Sequence, residues 1–331
     1  MTNSLRRMCW VFPDRESTRT GAMWDHYFWG MYAEVADELG LRWTRDAPEA
    51  VTVDGWDHGK PRVFVDDEPV TPQDTLFITA LYSLPYQSME VFNQYALYAV
   101  LEHAGFYLPF PPGLSPVAND KLATLLHFGD SPIPPIPTIR IGTGRDVGKH
   151  TYEVALDRLT FPAIVKPAGW CGGGGLNLAR TVDDVRGLAS LAQGGDTVLV
   201  AQPYLGDGTV DYRVYVVDGR PYELALTRTP PPGSPASNAS RGGVMAYVPI
   251  PSELAAATAY FAAKLPIPFF CVDFLHDGDR FWLSELEPDG VIAPDFDDPH
   301  RTIQRDITRA RFAAYRDAHA RWLTPAEMVT P

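Results

Sequence analysis

The sequence has few cysteines and no long apolar run. Its three cysteines, Cys9, Cys171 and Cys271, form no C-x-x-C pair, which excludes a disulfide framework and a four-thiolate zinc site. The longest apolar stretches, such as Ala255–Ala263, fall well short of the ~18–20 residues that a membrane-spanning helix needs. We therefore expect reduced thiols, no membrane partner and a cytoplasmic location.

Basic residues are also scarce relative to acidic ones. The sequence has 28 Lys and Arg residues against 41 Asp and Glu residues, which gives a formal net charge of −13 at pH 7. This balance argues against nucleic acid, an anionic membrane or a large acidic substrate as a partner. Hydrophobic residues make up 45% of the 331 residues, which is typical of a globular protein with two or three structural units.

Proline and glycine clusters divide the sequence into three predicted units. The segment Tyr107–Pro116 contains four prolines and cannot continue a helix, so we place the first boundary there. The units are a small α/β domain at 1–115, an α+β unit at 116–200 and a β-rich unit at 201–331 that ends in a helix. The fold class predicted is α/β (α+β).

Several common catalytic motifs are missing. The sequence has no H-E-x-x-H, no G-x-S-x-G and no correctly spaced G-x-G-x-x-G, which removes the simplest interpretations as a zincin, an α/β-hydrolase or a dinucleotide oxidoreductase. Gly142–Lys149 resembles a P-loop by eye, but Thr143 stands where its first glycine would be and His150 follows the lysine. We therefore reject that match.

The first candidate phosphate-binding feature is a strand followed by a glycine loop. Residues 161–175 read FPAIVKPAGWCGGGG, in which Lys166 ends a buried strand and four glycines close the segment. Glycine lets backbone amides approach an anion closely, and a lysine at the strand end supplies a positive charge to the same phosphates. A flexible turn without a ligand is the alternative interpretation of the glycines.

The second candidate feature is a strand exit followed by a carboxylate. A strand leads into Gln202-Pro203-Tyr204-Leu205, and Asp211 follows nine residues after Gln202. Backbone groups at such an exit can bind an adenine edge, and a carboxylate at that offset can reach ribose hydroxyls. Pro203 lacks an N–H group, so the donor must be Tyr204 or Leu205. A surface acid that caps the strand is the alternative for Asp211.

Three acidic residues form the third candidate feature. Glu285 and Glu287 lie two apart on a predicted strand and share one face. Asp273 joins them if the hairpin loop is odd, as with Asp277–Asp279, because Asp273 then pairs with Leu283. We expect the odd loop. Three carboxylates on one half-buried face would repel one another unless a cation neutralises them, and Mg²⁺ that bridges nucleotide phosphates suits them.

Taken in order, these motifs resemble the ATP-grasp superfamily, and most closely its ribosomal-protein-S6 glutamate-ligase-like branch. The resemblance covers about residues 117–295 and implies two α+β subdomains that clamp ATP, preceded by a preATP-grasp domain. The motifs are Asn119-Asp120-Lys121, Val165-Lys166-Pro167 with the glycine loop, Gln202 to Arg213, Ser237-Asn238 to Gly243, and Asp273 to Glu287.

The resemblance implies a role for each matching residue. The implied ATP-binding residues are Lys121 and Lys166 at the phosphates, Gly172, Gly173, Gly174 and Gly175 in a mobile loop over the γ-phosphate, Gln202, Pro203, Tyr204 and Leu205 at adenine, Asp211 at the ribose, and Asn238 near the triphosphate and the metal ions. Arg213 is a further implied cofactor-binding residue, and with Arg228 and Arg241 it would also suit an anionic small molecule such as an amino acid. Asp273, Glu285 and Glu287 are the implied ligands of two Mg²⁺ ions, for which Mn²⁺ can substitute. Arg228 and Arg241 are our candidate catalytic residues, because guanidinium groups suit an acyl phosphate and a tetrahedral intermediate.

Three positions depart from the family pattern. Glu287 stands where the family usually has asparagine, Cys271 replaces an arginine found two residues before the metal aspartate in some relatives, and Ala236 replaces a basic residue typical of the closest branch. The departures bear on the number of bound metal ions and on which arginine faces the substrate.

The resemblance implies an ADP-forming carboxylate–amine ligase. ATP would phosphorylate a small-molecule carboxylate, and an amine would then displace phosphate to give an amide. An intramolecular cyclo-ligase, an ATP-grasp kinase and a nucleotide-binding module without turnover are the alternatives. The expected partners are small carboxylate and amine substrates, such as amino acids, with a homodimer as the candidate assembly.

Overall fold

The computed structural model of the protein describes residues 4–11, 28–79, 88–237, 242–288, 290 and 298–324. The predicted site residues Asn238 and Arg241 lie outside these ranges. The described residues form a mixed α+β structure with four sheets, which confirms the predicted fold class. None of the helices in these ranges is long and apolar enough to cross a membrane.

The first unit combines a parallel sheet with a small antiparallel sheet. Its elements are β1 (Arg7–Val11), α1 (Gly30–Glu38), β2 (Arg42–Asp46), β3 (Val51–Asp54), β4 (Arg62–Val65), β5 (Glu68–Val70), β6 (Thr75–Ile78) and α2 (Ser88–His103). The strand order is β2-β1-β6 in the parallel sheet and β3-β4-β5 in the other. The central strand β1 is buried at every position, which is typical of a parallel sheet that is covered on both faces.

The second unit is an antiparallel sheet with its own core. Its elements are α3 (Ser115–Asn119), α4 (Lys121–His127), β7 (Ile139–Ile141), α5 (Glu153–Leu156), β8 (Ala163–Pro167), β9 (Asn177–Ala179), α6 (Val182–Gln193) and β10 (Leu199–Pro203). The strand order is β7-β10-β8-β9. Val165, Ala201 and Val185 belong to a buried cluster formed within this unit. A capping box between Thr181 and Asp184 begins α6.

The helix that carries Lys121 begins one residue later than the sequence suggests. Asparagine is a common N-cap residue, so the sequence alone favours a helix that begins at Asn119, but Asn119 ends α3 and its Nδ2 donates to the Ser115 carbonyl. Asp120 is the cap: its backbone is extended and its Oδ1 accepts the Ala123 N–H at 3.0 Å. Lys121 therefore occupies the first position of α4, beside the second unit's sheet.

The third unit is a five-stranded antiparallel sheet with two long helices. Its elements are β11 (Val210–Val217), β12 (Arg220–Thr229), β13 (Val244–Pro249), α7 (Ser252–Lys264), β14 (Phe269–His276), β15 (Phe281–Glu287) and α8 (Asp298–Leu323). The strand order is β13-β12-β11-β14-β15. Alternate residues such as Val214 and Val272 pack with Phe261 of α7 on one face.

The opposite face of this sheet changes character along the strands. Tyr215, Leu226, Phe269 and Cys271 join a core cluster that they share with the first unit. Asp273 lies two residues beyond Cys271 on the same face, where the side chains become charged. The charged end of this face is directed toward the second unit. The cleft therefore lies where the side chains change from apolar to charged.

Helix α8 joins the first unit to the five-stranded sheet. Arg305 pairs with Glu34 at 2.9 Å and also with Glu38, both on α1. Arg311 is buried, and its guanidinium carbon lies 5.1 Å from the Trp10 ring of β1 and 4.9 Å from the Phe269 ring of β14. The predicted C-terminal helix thus packs against two units at once.

Candidate active site

An open cleft of about 910 Å³ lies between the second and third units. It brings together most of the residues that the sequence singled out. The predicted residues that line it are Lys121, Lys166, Gly172, Gly173, Gly174, Gln202, Pro203, Tyr204, Leu205, Asp211, Arg228 and Glu285. Arg213, Asp273, Glu287 and Gly175 do not line the cleft.

Lys121 is a buried cation held at one end of the cleft. Its Nζ donates to the Trp170 carbonyl at 2.8 Å and forms an ion pair with Glu285 Oε2 at 3.3 Å. The backbone N–H of Lys121 donates to the Ala168 carbonyl at 3.1 Å. These bonds tie α4 to the chain just after β8, so the lysine and the glycine loop keep a fixed relation.

Lys166 supplies a second positive charge in the cleft. It lies on β8, is partly buried, and makes no hydrogen bond or ion pair with any residue that the structure describes. Burial, together with a smaller effect of the nearby Lys121 charge, lowers the pKa of Lys166 to about 8, and Glu285 opposes the change. A partly desolvated ammonium without a protein partner favours an anionic ligand.

The glycine loop is anchored at its end by a close backbone approach. Gly175 has φ +67°, and a Cβ built on it would lie 2.7 Å from Pro167 Cγ and 3.1 Å from a ring carbon of Trp170. Gly172 also has a positive φ, +65°, but a Cβ there would meet nothing within 4 Å. Gly175 therefore fixes the loop against β8, while Gly172 to Gly174 border the cleft.

These two glycines allow a matched test of the loop. Gly172→Ala introduces only the cost of a left-handed backbone, about 1–2 kcal/mol. Gly175→Ala adds overlap with Pro167 and should lower the free energy of unfolding by about 1–3 kcal/mol more. Urea unfolding of both variants measures the difference, and equal losses would contradict the anchoring role of Gly175.

The chain just after β10 offers one backbone donor to a ligand, whereas the sequence left two candidates, Tyr204 and Leu205. The Tyr204 N–H donates to the Pro162 carbonyl at 3.2 Å, so it is already used. The Leu205 N–H makes no hydrogen bond within the described residues, which leaves it as the donor for a bound base. Gln202 is buried, and its Nε2 donates to Thr138 Oγ1 at 2.9 Å.

Apolar side chains that the sequence analysis missed also line this end of the cleft. Ile164 lies two residues before Lys166 on β8, Leu275 lies two residues after Asp273 on β14, and Ile136 lines the cleft beside them. The period-two rule applied to the two charged residues would have found Ile164 and Leu275. Together they give a flat base an apolar surface.

Asp211 lines the cleft at the beginning of β11. Its Oδ2 accepts from Arg228 Nη2 at 2.8 Å and from Ser237 Oγ at 3.3 Å. Its Oδ1 is buried and has no partner in the described part of the chain. Burial raises the pKa of Asp211, although Arg228 opposes the change. An unpaired buried acceptor of this kind suits a hydroxyl donor, so the ribose role stays a prediction.

Behind the cleft, Asp273 is enclosed by two arginines. Arg213 Nε and Nη2 donate to its two oxygens at 2.8 and 2.7 Å, and Arg228 Nη2 donates to Oδ2 at 2.6 Å. The Asp273 side chain is 1% exposed. Burial alone would raise the pKa of Asp273, but the two guanidinium groups more than offset it and lower the pKa to about 2.

The three predicted acidic residues share one face, but by a different route from the one predicted. The hairpin pairs His276 with Phe281, so the loop has an even number of residues, and the expected pairing of Asp273 with Leu283 is wrong. A bulge at Ser284 shifts the register, and Asp273 pairs directly with Glu285. Without the bulge, the even loop would place Asp273 on the other face.

Glu285 and Glu287 differ from Asp273 in their surroundings. Glu285 lines the cleft, and only one of its oxygens has a partner among the described residues, Lys121. Lys121 and Lys166 lower the pKa of Glu285 against the effect of burial. Glu287 lies 3.9 Å from Arg213 Nη2.

These carboxylates fit a divalent cation that is held together with a nucleotide. No three His, Cys, Asp or Glu side chains converge on a metal-sized site within the described ranges. Mg²⁺ needs only one or two protein carboxylates when phosphate oxygens complete its shell. Glu285 lines the cleft and has one oxygen without a partner among the described residues, so it meets that requirement, and Glu287 lies outside the cleft lining on the same face of β15. Asp273, predicted as a further ligand, has both oxygens engaged by arginine.

Comparisons with known proteins agree with this geometry. Residues 152–266 match the family described as the prokaryotic glutathione synthetase, ATP-grasp domain. No curated protein sequence matches the chain.

Three solved structures share the fold over almost the whole chain. D-cycloserine synthetase DcsG is 16% identical with a TM-score of 0.62, and the match covers 95% of this chain and 99% of that one. D-alanyl-alanine synthetase A from Vibrio cholerae O1 biovar eltor is 13% identical with a TM-score of 0.65, covering 97% and 100%. A RimK domain ATP-grasp protein from Sphaerobacter thermophilus is 14% identical with a TM-score of 0.58, covering 93% and 98%.

The family match covers only part of the cleft. It includes Lys166 on β8, Asp211 on β11 and Arg228 on β12, whereas Lys121 on α4 and Glu285 on β15 lie outside the matched residues. The match of residues 152–266 to an ATP-grasp domain family and the fold shared with these three structures agree with the resemblance of the motifs to the ATP-grasp superfamily.

Proposed function

We propose that the protein is an ATP-dependent ligase that joins a small-molecule carboxylate, such as an amino acid, to an amine. The reaction would pass through an acyl phosphate and give an amide, ADP and phosphate. The observation that carries the proposal is the composition of the cleft. An apolar slot with one spare backbone donor, at Leu205, leads to Lys121, Lys166 and Glu285, and Arg228 lies beside them.

The apolar end of the cleft would hold the adenine. Ile164 and Leu275 would cover its faces, and the Leu205 N–H would donate to a ring nitrogen. The buried Oδ1 of Asp211 would accept from a ribose hydroxyl. This arrangement directs the triphosphate toward the two lysines, whose positive charges offset its negative charge.

Transfer of the γ-phosphoryl group depends mainly on position and charge. Lys166, which has no partner among the described residues, and Lys121 would bind phosphate oxygens, and Glu285 with Glu287 would hold Mg²⁺. Bound Mg²⁺ supplies charge neutralisation and alignment of the phosphates. A carboxylate oxygen of the substrate would attack the γ-phosphorus, and ADP would leave as the acyl phosphate forms.

Arg228 is placed to stabilise the acyl phosphate and its reaction with the amine. One of its terminal nitrogens, Nη2, is used by Asp211 and Asp273, while its Nε is buried with no partner in the described part of the chain. A guanidinium held this way can donate to the acyl phosphate and to the oxyanion of the tetrahedral intermediate when the amine attacks. The intermediate collapses with loss of phosphate. The glycine loop beside Lys121 would limit access of water to the acyl phosphate.

A product assay tests the proposal directly. Purified protein is incubated with Mg·ATP and pools of amino acids and small carboxylic acids, each pool also tested with the amine or the carboxylate omitted. We expect ADP and phosphate in equal amounts only when both substrates are present, and loss of both products in Glu285→Ala.

Other product patterns would identify the alternatives. AMP release would contradict the acyl phosphate and indicate adenylation. A stable phosphorylated product would indicate a kinase. Amide formation from a single substrate would indicate a cyclo-ligase, and ATP binding without turnover would indicate a nucleotide-binding module.

A further inference from the structure

A short chain of hydrogen bonds lies behind the apolar end of the cleft. Gln202 Nε2 donates to Thr138 Oγ1 at 2.9 Å, and Thr138 Oγ1 donates to the Ile136 carbonyl at 2.9 Å. Gln202 and Ile136 line the cleft, whereas Thr138 is half-buried and does not. Any influence of Thr138 on a ligand in the cleft is therefore exerted through its neighbours.

The position of the Ile136 carbonyl is fixed by the third unit. The Ile136 N–H donates to the Leu283 carbonyl at 2.9 Å, and the Leu283 N–H donates to the Pro134 carbonyl at 2.9 Å. Leu283 lies on β15, so the segment just before β7 is held against the five-stranded sheet. Within the described ranges, the Ile136 carbonyl accepts from Thr138 alone.

The direction of each bond in this chain follows from the carbonyl, which can only accept. The single hydroxyl proton of Thr138 is used by the Ile136 carbonyl, so Thr138 Oγ1 can only accept from Gln202. The amide nitrogen of Gln202 must therefore face Thr138, and its Oε1 is the amide atom left for a ligand. Oε1 accepts from no donor in the part of the chain that the structure describes.

The Gln202 acceptor lies at the same end of the cleft as the backbone donor of Leu205. Gln202 pairs with Ile164 in the register of β10 and β8, so the two side chains share the face on which Ile164 forms part of the base slot. The Leu205 N–H, three residues further on, makes no hydrogen bond within the described residues. The apolar end of the cleft thus offers a ligand one acceptor and one donor.

We infer that Thr138 is a positioning residue for nucleobase specificity: it fixes the Gln202 amide so that Oε1 and the Leu205 N–H select a 6-aminopurine over a 6-oxopurine. Adenine has an amino donor at C6 beside an acceptor at N1, whereas a 6-oxopurine has an acceptor at C6 and a donor at N1. The first pattern complements both protein groups, and the second opposes both. The inference rests on the proposed function, because it needs a nucleotide in the cleft, and it gives a role to a residue outside the motifs.

Nucleoside diphosphates test the inference on the unmodified protein. Isothermal titration of the full-length protein with Mg²⁺ present compares ADP with purine riboside diphosphate, which lacks only the C6 amino group, and with IDP, which has the 6-oxo pattern. We expect purine riboside diphosphate to bind about three- to tenfold more weakly than ADP, consistent with the loss of one neutral hydrogen bond. IDP should bind at least about a hundredfold more weakly, since its edge opposes both groups. Equal affinities for the three nucleotides would overturn the inference.

Thr138→Val isolates the part played by the hydroxyl. Valine keeps the shape of threonine but frees the Gln202 amide to rotate, so that its nitrogen can face the cleft and meet a 6-oxo group. The ratio of ADP affinity to IDP affinity should fall at least about fivefold, and ADP and purine riboside diphosphate should bind within about twofold of each other. A purely structural role would weaken binding of the three nucleotides equally and leave both ratios unchanged, which would contradict the inference.

Two further variants are the controls. Thr138→Ser keeps the hydroxyl and should keep both wild-type ratios. Gln202→Leu removes the amide, and adding Thr138→Val to it should change the ratios no further. A further change in the double variant would show that Thr138 acts by a route other than Gln202.

The binding data separate this inference from the ligase proposal. Selective binding of ADP without any amide formation would contradict the ligase and leave the inference supported. Amide formation by a protein that binds ADP and IDP equally would support the ligase and overturn the inference. Failure of all three nucleotides to bind would contradict both.

Discussion

Glu285→Gln is expected to reduce ATP-dependent turnover by about a thousandfold, the upper range for loss of one preorganised charge. Glu285 lines the cleft, pairs with Lys121 through Oε2 at 3.3 Å, and has no partner for its other oxygen among the described residues. Glutamine keeps the shape but removes the charge, so Lys121 would lose its counter-ion and the proposed Mg²⁺ site would lose a charged ligand. Initial rates of phosphate release at saturating Mg·ATP give the loss.

The same substitution should affect nucleotide binding in the opposite direction when magnesium is absent. Removing a negative charge beside Lys121 and Lys166 should leave the affinity for metal-free ATP unchanged or higher, since repulsion of the phosphates is relieved. Glu223→Gln, an exposed position on β12, is the matched control and should change neither quantity. Weaker binding of metal-free ATP in Glu285→Gln would point to lost structure instead.

ATP affinity is expected to fall about tenfold between pH 7 and pH 9. Burial lowers the pKa of Lys166 to about 8, with Lys121 adding to the effect and Glu285, Asp211 and Asp273 opposing it. The lysine is therefore charged below pH 8 and largely neutral at pH 9, and a neutral amine gives up most of its attraction for phosphate. Isothermal titration with a non-hydrolysable ATP analogue across this range measures the change.

Lys166→Arg provides the control for this pH dependence. Arginine remains charged throughout the range, so the affinity of the variant should vary by less than about twofold between pH 7 and pH 9, whatever its absolute value. Lys166→Met should bind weakly at both ends of the range, by about one to two orders of magnitude, consistent with loss of a charge-assisted hydrogen bond. A wild-type affinity that is flat from pH 7 to pH 9 would contradict the lowered pKa.

Several elements were predictable because their local patterns are strong. Helix α7 begins at Ser252 and ends at Lys264, and strand β4 spans Arg62–Val65, as the sequence indicates. Four edge strands, β2, β3, β5 and β9, were missed, and β5 and β9 have only three residues each, too few for a period-two pattern to stand out. The division of the chain at about residues 115 and 200 stays a prediction.

The sequence predicted most of the residues of the candidate site, but not the ion pairs and hydrogen bonds that those residues form. Lysines, glycines and acids stood out because their residue types at strand ends suit phosphate and metal chemistry, and the cleft gathers most of them. Asp273 was singled out by the same reasoning, yet its carboxylate is occupied by Arg213 and Arg228, which are 60 and 45 residues away in the chain. No spacing rule reports which of several cations a buried acid will meet.

By itself, the sequence determined the mixed α+β class, the order of its principal strands and helices, and most of the charged residues and glycines that line the cleft. Hydrophobic periodicity, proline positions and side-chain chemistry are properties of the local sequence, so they can be read without knowing the long-range contacts. The tertiary structure alone decided that a bulge at Ser284 puts Asp273 opposite Glu285, that Pro162 takes the Tyr204 N–H, and that Arg228 crosses β11 to reach Asp273. Each of these depends on the register between segments distant in the chain, and register is set by the packing of the whole sheet.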